Sequence, residues 1–204
     1  MIKGYGRTDI NMNLPNILTL CRILVTPLFI ILLFYDHPYA KSWALFIFVV
    51  AMLTDIFDGY YARKHNLVTD YGRFLDPLAD KVMVLSALIS FAVMDVIPYW
   101  MVSLIIFRDV FVTGLRMAMS SKNKTMVTSK IAKRKTLSQV LIIIFILFNI
   151  GFNTLPISWI KDLILFSKQY DLIYYLTLLV TLFTVFTGFT YLYTNRTVIR
   201  QFIS

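Results

Sequence analysis

The chain reads Asp55-Ile56-Phe57-Asp58-Gly59-Tyr60-Tyr61-Ala62-Arg63, then eight residues, then Gly72-Arg73-Phe74-Leu75-Asp76-Pro77-Leu78-Ala79-Asp80. As a pattern this is D-x2-D-G-x2-A-R-x8-G-x3-D-x3-D. On a helix, Asp55 and Asp58 stand at i and i+3, about 60° apart, and Asp76 and Asp80 at i and i+4, about 40° apart. Each pair projects from one face. A carboxylate at bilayer depth is expensive and is rarely held there without a functional reason. Four converging carboxylates suggest a cation site, and a divalent cation suggests phosphate chemistry.

The surroundings of this stretch are those of a membrane protein. Of 204 residues, 58% are hydrophobic and only 15% are charged, with a mean hydropathy of +0.72. The predicted fold class is all-α integral membrane, with six transmembrane helices at 16–35, 43–62, 77–95, 98–119, 136–154 and 172–194. A juxtamembrane segment, 1–15, precedes the 16–194 bundle, and a short tail, 195–204, follows it. Residues 1–15 suit a short helix lying on anionic lipid. Six helices leave no room for a separate soluble domain, so 1–204 reads as a single membrane domain. The first apolar run holds Arg22 and Pro27 and lacks a small-residue cleavage site after it, so it reads as a retained span rather than a signal peptide.

Charge sets the orientation. The formal net charge is +9, from 20 Lys and Arg against 11 acids, all of them Asp. With six spans, thirteen basic residues fall on the side of the termini and the even-numbered loops, including Arg63, Arg73, Lys133 and Lys135. The opposite side holds Lys41, Lys161 and Lys168. Both termini and the carboxylates are therefore expected at the cytoplasmic face. Asp55 lies 12 residues past Trp43, roughly 18 Å into the second span, in the cytoplasmic leaflet. The third span leaves the cytoplasm near Asp76, so both pairs meet at one end and one depth. Gly59 permits close backbone approach, and Ala62, at i+7 from Asp55, keeps the same stripe small. Pro77 suits the first turn of a helix beginning at Asp76.

A single Asp at a helix end is usually a cap or a solvated residue. Four at paired spacing on adjacent helices would repel one another, and a bound cation is the simplest compensation. A cation channel would more naturally place carboxylates at the midplane with polar residues continuing outward, but the outer halves of both spans are apolar. A membrane scaffold has no need of four carboxylates. Cys21 is the lone cysteine, so no intrachain disulfide forms. His37 and His65 stand isolated in predicted loops.

The complete pattern resembles the signature of the CDP-alcohol phosphotransferases. Asp55, Asp58, Gly59, Ala62, Arg63, Gly72, Asp76 and Asp80 all match at the required spacing. The resemblance implies a six-helix membrane fold, usually homodimeric, with a divalent-metal site at the cytoplasmic ends of the second and third helices. Asn13-Leu14-Pro15-Asn16, Leu75 to Lys81, Arg108-Asp109, Thr113-Gly114-Leu115-Arg116 and Ser129 to Thr136 are similar to the bacterial phosphatidylglycerophosphate synthases within that family. This likeness covers most of residues 13–136. Asp109 stands where those enzymes commonly have Glu, and Ala132 where they commonly have Gly.

The resemblance implies transfer of the phosphatidyl group of CDP-diacylglycerol to glycerol 3-phosphate at a bacterial cytoplasmic membrane. Phosphatidylglycerol, inositol phosphate and serine are the alternative acceptors. It implies Asp55, Asp58, Asp76 and Asp80 as ligands of Mg²⁺ or Mn²⁺, two ions in all. Asp80 is the candidate general base. Asp58, Gly59, Ala62, Arg63 and Gly72 would surround the CDP-lipid. The buried or loop-flanking cations Arg108, Arg116, Lys133 and Lys135 are candidates for the acceptor's phosphate, since Arg and Lys bind phosphate by charge-assisted hydrogen bonds. Each has a plainer reading: Asp109 can pair with an Arg of a neighbouring helix, and terminal Lys and Arg set topology or touch lipid headgroups. Membrane lipid, and no nucleic acid, is the expected surface partner.

Overall fold

The computed structural model describes the backbone of residues 14–64, 70–120, 130–153 and 157–203, and the side chains within 22–54, 81–119, 134–153 and 157–199. These residues form helices α1 (Leu14–Phe34), α2 (Ala40–Lys64), α3 (Asp70–Val93), α4 (Tyr99–Ser120), α5 (Lys130–Gly151), α6 (Ser158–Gln169), α7 (Leu172–Thr194) and α8 (Arg196–Ile203), and among them there is no strand. In an apolar medium a helix satisfies every backbone donor and acceptor within itself, and the long apolar runs of this chain require that.

α1 packs on α2 and α3, α2 and α3 both pack on α5, and α7 packs on α4 and α5. The core lies where α1, α2, α3 and α5 meet, around Phe29, Phe48, Met83, Leu88, Phe91 and Ile143. The Phe29 and Phe48 rings sit 5.8 Å apart at 42°. Where α2 meets α5, a Cβ on Gly151 would lie 3.2 Å from the backbone of Lys41 and Ser42. Glycine is what allows this contact, and Ser42 Oγ donates to the Gly151 carbonyl at 2.8 Å. α7 turns a small, hydroxylated face inward: Thr177, Thr181, Thr184 and Thr187 are buried. Thr177 and Thr181 return their hydroxyls to carbonyls one turn back, at 2.6 and 2.8 Å.

The outside of the bundle is apolar. Leu24, Phe107, Phe189 and Tyr193 are 66–70% exposed. Large side chains in this number on a soluble surface would drive association, whereas acyl chains accommodate them. Among the described residues, two stretches are long and apolar enough to cross a membrane, Arg134–Gly151 and Leu172–Thr194, and shorter apolar helical stretches lie at Arg22–Phe34, Ala40–Thr54 and Lys81–Val93. The chain is a helical membrane protein.

Three boundaries differ from those expected of the sequence. α3 begins at Asp70, not near Asp76, so Pro77 stands at the eighth position of the helix instead of its first turn. An Asp in a first turn meets the positive end of the helix dipole, which favours the earlier start. α5 begins at Lys130, so Lys133 and Lys135 belong to its first turns rather than to a loop. Between the expected fifth and sixth spans, Ser158–Gln169 forms the additional helix α6, with Ile160, Ile164 and Ser167 buried on one side. The α3–α4 turn is a Schellman closure: Val96 N–H donates to Phe91 C=O at 2.9 Å and Asp95 N–H to Ala92 C=O at 3.0 Å, with Asp95 at φ 55°. Residues 1–13, which hold most of the expected juxtamembrane segment, and His65 lie outside the described residues.

Candidate active site

The signature is divided between two helices. α2 runs unbroken through Asp55, Asp58, Gly59, Ala62 and Arg63, and α3 through Gly72, Asp76 and Asp80. Both helical spacings assumed from the sequence therefore hold, and α2 and α3 share α1 and α5 as packing partners. The side chains of these eight residues, and of Lys133, lie outside the described residues. Four carboxylates offer hard oxygen donors, the chemistry that Mg²⁺ and Mn²⁺ prefer, so the donor set fits such an ion. Among the described residues no group of three His, Cys, Asp or Glu side chains gathers.

A groove of about 240 Å³ leads to this end of α2. It runs between α1 and α2, lined by Val25, Leu28, Phe46, Ile47, Val50, Ala51, Arg22 and Thr54. Thr54 is the residue before Asp55. The groove is thus apolar along most of its length, with the buried Arg22 in its wall.

The second charged centre joins α4, α5 and α7. Asp109 is 2% exposed and Lys135 1%, and the two form an ion pair and hydrogen bond between α4 and α5. Arg108 Nη1 donates to the same carboxylate oxygen, Oδ1, at 3.2 Å. Gln139 Nε2 donates to Oδ2 at 3.3 Å. The other arm of Arg108 reaches α7, where Nη2 donates to Thr187 Oγ1 at 3.1 Å. Charges this deep need partners, and these have them. Asp109 does pair across helices, but with Lys135 of α5 rather than with an arginine; Arg108, the adjacent residue on α4, meets the same carboxylate. Arg116 is not part of this cluster. Its guanidinium lies 5.7 Å from the centre of the Tyr191 ring, near the end of α7. Cation–π contact of this kind leaves the charge available to a ligand.

Gln139, Thr187 and Gly188 were missed in the sequence. Gln139 had a signal, since it stands at i+4 from Lys135 on one face of α5. Thr187 and Gly188 had none, because nothing local to α7 announces an arginine arriving from α4. A Cβ on Gly188 would lie 3.0 Å from Arg108 Cγ, so the missing side chain makes room for the arginine stem.

The chain is similar to known proteins along most of its length. A family model described as CDP-alcohol phosphatidyltransferase matches residues 12–183. The CDP-diacylglycerol–glycerol-3-phosphate 3-phosphatidyltransferase of Bacillus subtilis (strain 168) is 40% identical over 154 residues, covering 69% of this chain and 80% of the relative. The protein of the same description from Rickettsia prowazekii (strain Madrid E) is 34% identical over 183 residues, covering 89% of this chain and 94% of the relative. That from Cereibacter sphaeroides is 38% identical over 149 residues, covering 71% and 67%.

Proposed function

The chain belongs to the CDP-alcohol phosphatidyltransferase family and is a membrane-bound transferase of that class, and from that premise we propose that it moves the phosphatidyl group of CDP-diacylglycerol to sn-glycerol 3-phosphate. The products are phosphatidylglycerophosphate and CMP. The observation that carries this reading is the complete signature on α2 and α3, in a bundle that also brings the buried Lys135 of α5 and the part-buried Arg108 of α4 onto one carboxylate. The relatives quoted above are named for glycerol 3-phosphate as acceptor.

Asp55, Asp58, Asp76 and Asp80 would hold Mg²⁺ or Mn²⁺, two ions in all. An ion held by these carboxylates would supply positive charge against the diphosphate and the departing CMP. Gly59, Ala62, Arg63 and Gly72 surround the cytidine and diphosphate of the CDP-lipid, together with Asp58. Its acyl chains run between helices, and the apolar groove ending at Thr54, next to Asp55, supports that placement. Arg108, Arg116, Lys133 and Lys135 receive the phosphate of the acceptor. Asp80 takes the proton from the acceptor hydroxyl, whose oxygen attacks the lipid-side phosphorus.

The topology completes the reading. α1, α2, α3, α4, α5 and α7 are the six spans. α6 has 12 residues, about 18 Å of helix, too short to cross, and lies at the outer surface. The single domain 1–204 functions as a homodimer in a bacterial cytoplasmic membrane, with both termini and the carboxylates cytoplasmic and residues 1–15 along the inner surface. The test is a headgroup-transfer assay with CDP-diacylglycerol and a panel of glycerol 3-phosphate, phosphatidylglycerol, inositol phosphate and serine. Glycerol 3-phosphate is expected to be the preferred acceptor. Selective use of phosphatidylglycerol would make the protein a cardiolipin synthase instead.

A further inference from the structure

The cluster on α4, α5 and α7 contains a carboxylate as well as the two cations that could meet an anion. Asp109 has both oxygens engaged: Oδ1 accepts from Lys135 and Arg108, and Oδ2 accepts from Gln139. Among the described residues two cations, Arg108 and Lys135, meet this one carboxylate, so the centre keeps a net positive charge. Without Asp109, Arg108 and Lys135 would repel each other inside a medium that solvates neither.

The restraint extends to α7. Thr187 donates its own hydroxyl hydrogen to the Thr184 carbonyl at 2.8 Å. That fixes its oxygen as an acceptor, and Arg108 Nη2 uses it at 3.1 Å. Arg108 is therefore held at both nitrogens of its fork, while Nε has no partner among the described residues. A guanidinium pinned at two points loses little further freedom when an anion binds.

We propose that Asp109 is a positioning residue for the anionic acceptor: with Gln139 behind it and Thr187 holding the far arm of Arg108, it keeps Lys135 and Arg108 converged on one point before the acceptor's phosphate arrives. Asp109 does not touch the reacting atoms. Its contribution is to the arrangement of the two cations and so appears in acceptor affinity. The inference rests on the proposed role of Arg108 and Lys135 as acceptor ligands.

The experiment is steady-state kinetics of the full chain in lipid nanodiscs, with each substrate varied at saturating levels of the other. Asp109→Asn removes the charge and keeps the size, and Asp109→Glu restores the charge. Asp109→Asn is expected to raise the acceptor KM roughly 10- to 100-fold, the worth of hydrogen bonds to charged groups, with the KM for CDP-diacylglycerol within about threefold of the wild type. Asp109→Glu is expected to recover most of the loss. Gln139→Leu removes one bond to Oδ2 and should shift the acceptor KM in the same direction, by less. It carries the test if Asp109→Asn does not fold. Equal changes in both KM values, or no recovery by Asp109→Glu, overturn the proposal in favour of a merely structural carboxylate. Arg108→Gln and Lys135→Gln separate the two readings. If they raise the acceptor KM while Asp109→Asn and Gln139→Leu leave it unchanged, the positioning role fails alone; if they leave it unchanged, the acceptor-site reading has failed first.

Discussion

Gly188→Ala is a perturbation of one methyl group whose effect can be worked from distances. The added Cβ would stand 3.0 Å from Arg108 Cγ, 3.6 Å from Nε and 3.9 Å from Cδ. Ordinary contact begins near 3.4 Å, so the arginine stem must retreat by about 0.4 Å. It is not free to do so without loss, because its side chain is 11% exposed and its fork is tied to Asp109 at 3.2 Å and Thr187 at 3.1 Å. Carried in full along the fork, a shift of that size would lengthen the bonds to at most about 3.5–3.6 Å, the edge of hydrogen-bond range. Partial accommodation by the flexible side chain leaves an expected loss of about 1.5 kcal/mol, the lower value for bonds to charged groups, or about tenfold in the acceptor KM. The assay varies glycerol 3-phosphate at saturating CDP-diacylglycerol, then the reverse. Gly114→Ala on α4 is the control, since a Cβ there meets nothing within 4 Å. An acceptor KM within twofold of wild type in Gly188→Ala, in a protein where Arg108→Gln does raise it, would refute the reasoning.

Chelation of divalent metal should abolish turnover, with Mg²⁺ or Mn²⁺ restoring it, and Asp55→Ala, Asp58→Ala and Asp76→Ala should each lose most activity while still inserting into membranes, as followed by membrane fractionation. Lys135→Met leaves Asp109 with one cation fewer at a fully buried position and should lower stability by about 3 kcal/mol in thermal unfolding; adding Asp109→Leu should not recover it, because Arg108 then loses its carboxylate. Gly151→Ala puts a Cβ 3.2 Å from the backbone of Lys41 and Ser42, which cannot rotate away, so it should destabilise the α2–α5 contact by about 1–2 kcal/mol without a selective change in either KM.

The helical fold and the signature were legible because both depend on local spacing. Asp55 with Asp58, and Asp76 with Asp80, needed only a helical backbone to share a face, and α2 and α3 supply it. Apolar runs marked the helices that bury Phe48, Leu88 and Ile143. The helix starts were less legible. Lys130 to Lys135 are polar and basic, and so resemble a loop, yet the helix runs through them because Lys135 is drawn inward by Asp109. Asp70 opens α3 two turns before the apolar stretch that marks it. The arrangement around Arg108 was legible only in part. Its neighbour Asp109 could be suspected from the sequence, whereas Thr187 is 79 residues away and Gly188 matters only because α7 crosses beside α4. Such partners follow from packing, which no local pattern encodes.

The most direct measurement compares wild type and Asp80→Asn in one preparation, following CMP release, lipid product and metal-dependent binding of CDP-diacylglycerol. The wild type should form CMP and phosphatidylglycerophosphate in equal amounts, only with divalent metal and glycerol 3-phosphate present. Asp80→Asn should still bind the CDP-lipid while its kcat falls by roughly 10²–10⁴-fold, the worth of a positioned base. CMP release by the wild type without a glycerophosphate-bearing lipid product, or normal turnover by Asp80→Asn, would contradict the assignment of these carboxylates to phosphatidyl transfer.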